Sequence, residues 1–275
     1  MENETLYSKF NADALTKSEQ TESWRLETDR LKVEMILKYA NGIQSFLDIG
    51  CAWGQILKQL VGRFPTLVGV DESKDRIEQL AANNEGIQTM VCSAKKLDLA
   101  DEMFEGVLTS HVIHEIKLFG NDDDLQCVLA EIKRVLKPGG QYFMIDHLDP
   151  GSEEVIIELP EDKRKLLEEF VMQFQYRQVN VKFNGNQAIL DRRDCHDFVT
   201  KIWSMHGGAK DLEMKETHTI MKKGELFDDI KRAGFMIDHW VPFNPIIKLM
   251  NFYGIRLVKG DSWNRQLMLV SRKRG

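Results

Sequence analysis

Phe46-Leu47-Asp48-Ile49-Gly50-Cys51-Ala52-Trp53-Gly54 is the stretch that decides the fold. A hydrophobic run, Gln44 to Ile49, has the length of a buried strand and passes straight into a glycine turn, Gly50 to Gly54. Gln55 to Phe64 then has helical periodicity, with Leu57, Leu60 and Val61 inward. In a doubly wound α/β sheet, the crevice at the carboxyl end of such a strand receives a nucleotide-like ligand. Gly50 and Gly54 let the backbone approach it with no Cβ in the way. The helix N-terminus offers free N–H groups to an anion. The alternative job for both glycines is a tight turn alone.

The same alternation continues outward. Thr66–Val70, Gln88–Cys92, Phe104–Ser110 and Gln141–Asp146 read as strands. Lys74–Asn83 and Asp122–Leu136 read as helices, the latter with Leu125, Val128, Leu129, Ile132 and Val135 inward. Strands alternating with helices mean an α/β fold with a mostly parallel sheet and helices on both faces. Asp71-Glu72 ends the second strand. An acid about 20 residues past a glycine loop suits the two hydroxyls of a ribose. Upstream, Glu22–Ala40 is helical up to Asn41-Gly42, and residues 1–30 are read as an N-terminal tail or a lid over a ligand.

After Pro150-Gly151 the rhythm changes. Glu161–Arg177 is a charged amphipathic helix, and Val179–Leu190 alternates around Asn184-Gly185 as a hairpin. Asp191 is placed to cap a helix whose apolar face is Cys195, Phe198, Val199, Ile202 and Trp203. Leu212, Met214, His218 and Ile220 fall on even positions, which predicts a strand over Leu212–Ile220. Gly224–Ala233 reads as a helix, with strands at Phe235–Val241 and Gln266–Ser271. The chain thus divides into a ligand-binding core at 31–150, an inserted α+β cap at 151–222, and a return to the core at 223–275.

The whole chain sets outer bounds. It has 275 residues, 43% hydrophobic and 29% charged, as expected of a globular protein. Its net charge of −6 does not attract phosphate backbones, so no nucleic-acid partner is expected. Cys51, Cys92, Cys127 and Cys195 form no C-x-x-C pair and suggest reduced thiols in a cytoplasmic protein. No apolar run approaches the roughly 18 residues of a membrane span, so no membrane partner is expected.

Asp48, Gly50, Cys51 and Gly54 together resemble motif I of the class I S-adenosylmethionine (SAM)-dependent methyltransferases, D-x-G-C-G-x-G. Asp71 matches the acid after the second strand in that family, and Leu136-Lys137-Pro138-Gly139-Gly140 matches its turn into the fifth strand. Ala233-Gly234-Phe235 is similar to the start of its closing strands. The resemblance spans roughly Leu31–His147 and Glu225–Ser271. It implies a Rossmann-like, mostly parallel seven-stranded sheet, SAM as cofactor, and methyl transfer to an O or N atom of a small-molecule acceptor. The implied cofactor-binding residues are Asp48, Gly50, Cys51, Ala52, Gly54, Asp71, Glu72, Ser93, Ala94, Ser110 and His111. Three positions depart from the family pattern: Ala52 replaces the middle glycine, Ser93 the usual adenine-binding Asp, and Glu105 the Asp of a Phe-Asp pair. The rival readings are an NAD(P)-dependent oxidoreductase, which prefers G-x-G-x-x-G, and a non-catalytic SAM-binding protein. A nucleic-acid or protein methyltransferase is a third.

Methyl transfer from a sulfonium is an in-line displacement that releases a neutral thioether, so alignment matters most and a base is needed only for a protonated nucleophile. His111, His114 and His147 are the candidate catalytic groups, each with packing as the alternative. Trp203, His206, His218 and Tyr253 are candidates to line the acceptor pocket, with burial in the cap core as the alternative for Trp203. Arg177, Arg192 and Arg193 either pair with an acidic substrate or lie in solvent. No metal site is expected. Glu213 would alternate away from Glu216 and His218 if that segment were a strand. The amphipathic stretch Pro245–Tyr253 either closes the pocket or meets a second subunit in a homodimer.

Overall fold

The structure, a computed structural model, describes residues 19–205 and 210–274. In chain order the elements of the first half are α1 (Glu19–Tyr39), β1 (Ser45–Ile49), α2 (Gln55–Leu60), β2 (Thr66–Asp71), α3 (Lys74–Asn83), β3 (Gln88–Val91), β4 (Phe104–Ser110), α4 (Ile113–Phe119), α5 (Asp122–Val135) and β5 (Leu136–His147). The second half adds β6 (Glu154–Glu158), α6 (Glu161–Gln173), β7 (Val181–Asn184), β8 (Gln187–Asp191), α7 (Arg192–Lys201), α8 (Lys210–Glu213), α9 (Lys223–Arg232), β9 (Phe235–Pro245), α10 (Ile246–Phe252), β10 (Arg256–Lys259) and β11 (Asn264–Lys273).

Seven strands form one sheet in the order β3-β2-β1-β4-β5-β11-β9. β1 pairs in parallel with both β2 and β4, which run to opposite edges, so the strand order reverses beside β1. β11 runs antiparallel between β5 and β9. This is the α/β sheet with helices on both faces that the alternating pattern predicts. α5 shows why the sequence folds this way locally. Asn121 and Asp124 form a reciprocal capping box, acids fill its first turn and Lys133 and Arg134 its last, in line with the helix dipole. Its inward residues Leu125, Val128, Leu129, Ile132 and Val135 are all buried, each worth about 1.5–3 kcal/mol against exposure.

Several boundaries differ from expectation. The helix predicted over Gln55–Phe64 ends at Leu60, because Gly62 turns the chain at φ +77°. Lys137 to Gly140 lie within the bounds of β5, as an irregularity between the Phe104–Leu136 and Gly106–Gln141 pairings. Residues 19–30 are helix, continuous with the rest of α1, so that part of the expected tail is ordered. The expected strand Leu212–Ile220 is absent. A single turn, α8, ends at the buried Glu213 and is followed by irregular chain in which Met214, Glu216, Thr217, His218 and Thr219 are buried.

The cap is a second, four-stranded antiparallel sheet in the order β10-β6-β8-β7, carrying α6 and α7. The hairpin turns at Asn184-Gly185, and the Asp191 side chain caps α7 by accepting from the Arg193 N–H. Its hydrophobic cluster includes Leu167, Phe170, Phe198 and Val199, together with Ile246, Leu249, Met250, Ile255 and Trp263. Those last five lie in a segment that the sequence assigned to the returning core. α10 and β10 therefore pack with the cap, and β11 then re-enters the main sheet.

Candidate functional site

The site lies at the carboxyl edge of the sheet, at the strand-order reversal beside β1, and is built around the glycine loop. Gly50 has φ +74°, and a Cβ there would stand 2.5 Å from Val112 Cγ2. Gly54 has φ +72°, and its Cβ would meet Leu80 Cδ1 at 2.4 Å. The turn and the packing therefore both demand glycine. Ala52 also adopts the left-handed region, at φ +48°, which accounts for the glycine usual there in the resembled family. Asp71 braces this loop: one carboxylate oxygen accepts from Ala52 N and the other from Ser73 N, each at 2.9 Å. Arg76 lies 3.8 Å from the same carboxylate and stacks over Trp53. Asp71 thus ties the loop to the start of α3, and Glu72 beside it is exposed.

Asp48 behaves differently. It is 2% exposed, and its Oδ1 has no hydrogen-bond partner among the described residues. Burial and the neighbouring Asp71 charge push its pKa up to about 8, against the pull of Lys32. Lys32 is itself buried on α1 and paired with Asp29. Ser93 Oγ accepts from Lys95 N at 3.3 Å, a local turn contact. Glu105 accepts from Gln44 N and pairs with Lys137, so it links β1, β4 and β5 away from the ligand edge.

A group of histidine rings adjoins the loop. His111 follows β4 in a left-handed conformation, φ +59°, uncommon for a residue with a Cβ. Its N–H donates to Ile145 O, and its Nε2 lies 2.8 Å from the Gln266 carboxamide nitrogen. His114, on α4, bonds through Nδ1 to Asp146 at 2.6 Å. His147, at the end of β5, stacks on His218 of the cap at a centroid distance of 3.9 Å and lies 4.5 Å from the His111 ring. His196 of α7 approaches His147 edge-on and accepts from Trp263 Nε1 at Nδ1.

The cap side of this junction is the polar face of α7. Asp197 accepts from the backbone N–H of His218 and from Thr217 Oγ1, each at 2.7 Å, and so fixes the irregular segment. His218 Nδ1 lies 2.8 Å from Thr200 Oγ1, and its Nε2 lies 2.9 Å from Glu216. Lys201, wholly buried, pairs with Glu213 at 2.8 Å and lies 3.5 Å from Glu216. Burial lowers His111 and His147 well below the usual imidazole range and brings His218 and His196 to about 3, leaving these rings neutral. Burial acts on His114 in the same direction, but the charge and hydrogen bond of Asp146 outweigh it and raise His114 to about 9. Burial also pushes Glu115 up to about 8.

The predicted residues therefore fall into groups. The loop residues Asp48, Gly50, Cys51, Ala52 and Gly54 sit together with Asp71, and His111, His114, His147 and His218 form one cluster. Ser110 ends β4 beside it, whereas Ser93 and Ala94 belong to the loop after β3. Tyr253 and Trp203 belong to the cap: Tyr253 packs against its core, and Trp203 carries Arg25 over its ring. His206 lies outside the described residues. The three arginines are committed elsewhere. Arg177 pairs with Asp194 and Asp197, Arg192 with Glu153, and Arg193 with Asp149. Glu213 does not alternate away from Glu216 and His218, because the segment is not a strand: their donor atoms lie within 4.8 Å of one another. Gln266, Lys32, His196, Thr200 and Lys201 were missed. The signal for the last three was the polar residues on α7, which an amphipathic pattern assigns to solvent.

Comparison with known proteins agrees with this geometry. Residues 47–144 match a family model described as methyltransferase domain. That segment, from β1 to β5, is therefore similar to methyltransferase domains. Among curated relatives it is 33% identical over 115 residues to the ubiquinone/menaquinone biosynthesis C-methyltransferase UbiE of Desulfotalea psychrophila, covering 40% of this chain and 44% of that protein. It is 35% identical over 97 residues to the human probable tRNA methyltransferase 9B, covering 35% of this chain and 20% of that one. The chain thus spans less than half of either relative. Among solved structures, a SAM-dependent methyltransferase from Mesorhizobium loti superposes with a TM-score of 0.56 at 15% identity, covering 88% of this chain and 96% of that one. The PH0226 protein of Pyrococcus horikoshii OT3 gives 0.54 at 17% identity over 98% and 99% of the two chains. These two share the fold. Among the described residues no helix is long and apolar enough to cross a membrane.

Proposed function

We propose that this protein uses SAM to methylate an oxygen or nitrogen atom of a small-molecule acceptor held between the sheet edge and the cap. The observation that carries the reading is Asp48, a buried carboxyl with an unpartnered oxygen just before the glycine loop. An unsatisfied buried polar group of this kind costs roughly 1–3 kcal/mol, which a cationic ligand offsets. The ammonium and sulfonium of SAM supply such charge, and the loop from Gly50 to Gly54 supplies backbone without side chains. The net charge of −6 favours a small acceptor over a nucleic acid, and the quinone-biosynthesis name of the UbiE relative is of the same kind.

The chain's own groups divide the remaining work. The methyl donor leaves as a neutral thioether, so no acid is needed, and alignment of the acceptor supplies most of the rate. His111 follows β4 beside the loop, and its neutral ring, held at Nε2 by the Gln266 carboxamide, positions the acceptor rather than taking its proton. His114 is held as an imidazolium by Asp146 and so positions rather than accepts. The test is incubation with methyl-labelled SAM and a panel of phenols, carboxylic acids and amines. Label should pass to at least one acceptor, with S-adenosylhomocysteine formed in equal amount. Binding of SAM without turnover on any of them, or label passing only to RNA or protein, would overturn the proposal.

A further inference from the structure

We propose that the junction of cap and sheet is a binding site for a divalent transition-metal ion, with His114, His147 and His218 as its ligands. One nitrogen from each of these three imidazoles lies within 4.8 Å of the other two, and all three residues are buried. A tetrahedral centre with metal–nitrogen bonds of about 2.0–2.1 Å sets its ligand atoms about 3.4 Å apart. The cluster therefore needs only a modest contraction of its side chains.

The tautomers are prepared for it. His114 Nδ1 is held by Asp146 at 2.6 Å, and Asp146 also accepts from the backbone N–H groups of His114 and His147. His218 Nδ1 is held by Thr200 Oγ1, whose own hydroxyl donates to His196 O and so leaves its lone pair for the ring N–H. The bonded Nδ1 of His114 leaves its Nε2 for the ion, which displaces the second ring proton on binding, in the carboxylate–histidine–metal arrangement that orients metal ligands. His147 Nδ1 is buried with no hydrogen-bond partner among the described residues. His218 Nε2 lies 2.9 Å from a Glu216 oxygen, and the Lys201 ammonium stands 3.4 Å from the same nitrogen. An ion bound by the three rings would give His147 the partner it lacks. Lys201 lies between Glu213 and Glu216, and Asp146 supplies negative charge beside His114 at the three rings. Imidazole ligands in this number select zinc, iron, nickel or copper over magnesium or calcium. Because His114 on α4 and His147 on β5 belong to the core and His218 to the cap, the ion would also pin one to the other.

The test loads the chelator-treated full chain with zinc. About one ion per chain should bind below micromolar free zinc and raise the melting temperature. The His147→Ala/His218→Ala double variant should lose both effects, whereas H239A, an exposed histidine on β9, should keep them. X-ray absorption on the zinc-loaded wild type needs no variant and should show about three imidazoles in the scattering. Binding no tighter than that of the double variant, or a zinc shell without histidine, overturns the proposal. SAM binding measured in the same samples keeps this outcome separate from that of the methyltransferase reading.

Discussion

The glycine loop and the histidine junction are neighbours, yet they are built by opposite rules. The loop is made of backbone from one short segment, Gly50 to Gly54, and the Val70 carbonyl and the Asp71 carboxylate brace it from the neighbouring strand. The junction is made of side chains from β4, α4, β5, α7, the chain after α8, and β11, which are far apart in sequence. The loop depends on what is absent from two residues. The junction depends on every charge and donor finding its partner in a space that excludes water. Substitutions should therefore act on the two regions in different ways.

The largest effect is expected at Lys201. Lys201→Met leaves Glu213 and Glu216 buried without their ammonium, which should cost about 3–5 kcal/mol. Urea melts should show this, and adding Glu213→Gln should recover part of it. If K201M is as stable as wild type, the junction is not the charge network described. Gly50→Ala places a methyl group 2.5 Å from Val112 at φ +74°. Strain and overpacking together should cost roughly 2–4 kcal/mol. The loss should show as weaker SAM binding or a lower melting temperature, and H147A should not produce the same loss of SAM affinity.

Asp48 gives a pH signature. Its pKa in the folded protein, about 8, is above the unfolded value of 3.8. Between these values the unfolded chain releases a proton that the folded chain keeps, so stability falls as pH rises, by at most about 1.4 kcal/mol per pH unit. Below about pH 4 and above about pH 8 this contribution is flat. Asp48→Asn should remove that slope from denaturation curves taken from pH 5 to 8. An unchanged slope would mean that Asp48 is not the titrating group. The smallest effect is expected at Ala52. Ala52→Gly relieves the left-handed alanine at φ +48°, but glycine also loosens the unfolded chain, so the gain should be under about 1 kcal/mol.

What could be read from the sequence follows the same division. The strand, the glycines and Asp71 are local or regularly spaced, so the core sheet and its loop were legible. The α7 helix misled because its polar residues, His196, Asp197, Thr200 and Lys201, look like a solvent face. They are buried against the sheet edge instead. The segment after α8 misled because Leu212, Met214, His218 and Ile220 keep even parity without being a strand. Parity sorts side chains to opposite faces only in extended chain. Once the segment folds irregularly, Glu213, Glu216 and His218 converge, and no spacing rule announces it. The arginines that looked available for a substrate are held by acids distant in sequence, such as Asp149 for Arg193.

The most direct test of the central claim is calorimetric titration of the wild-type chain with S-adenosylhomocysteine. The account predicts saturable binding at one site per chain, with proton release near pH 7 if the ligand's ammonium meets Asp48. The absence of saturable binding of both S-adenosylhomocysteine and SAM at millimolar concentration would contradict it.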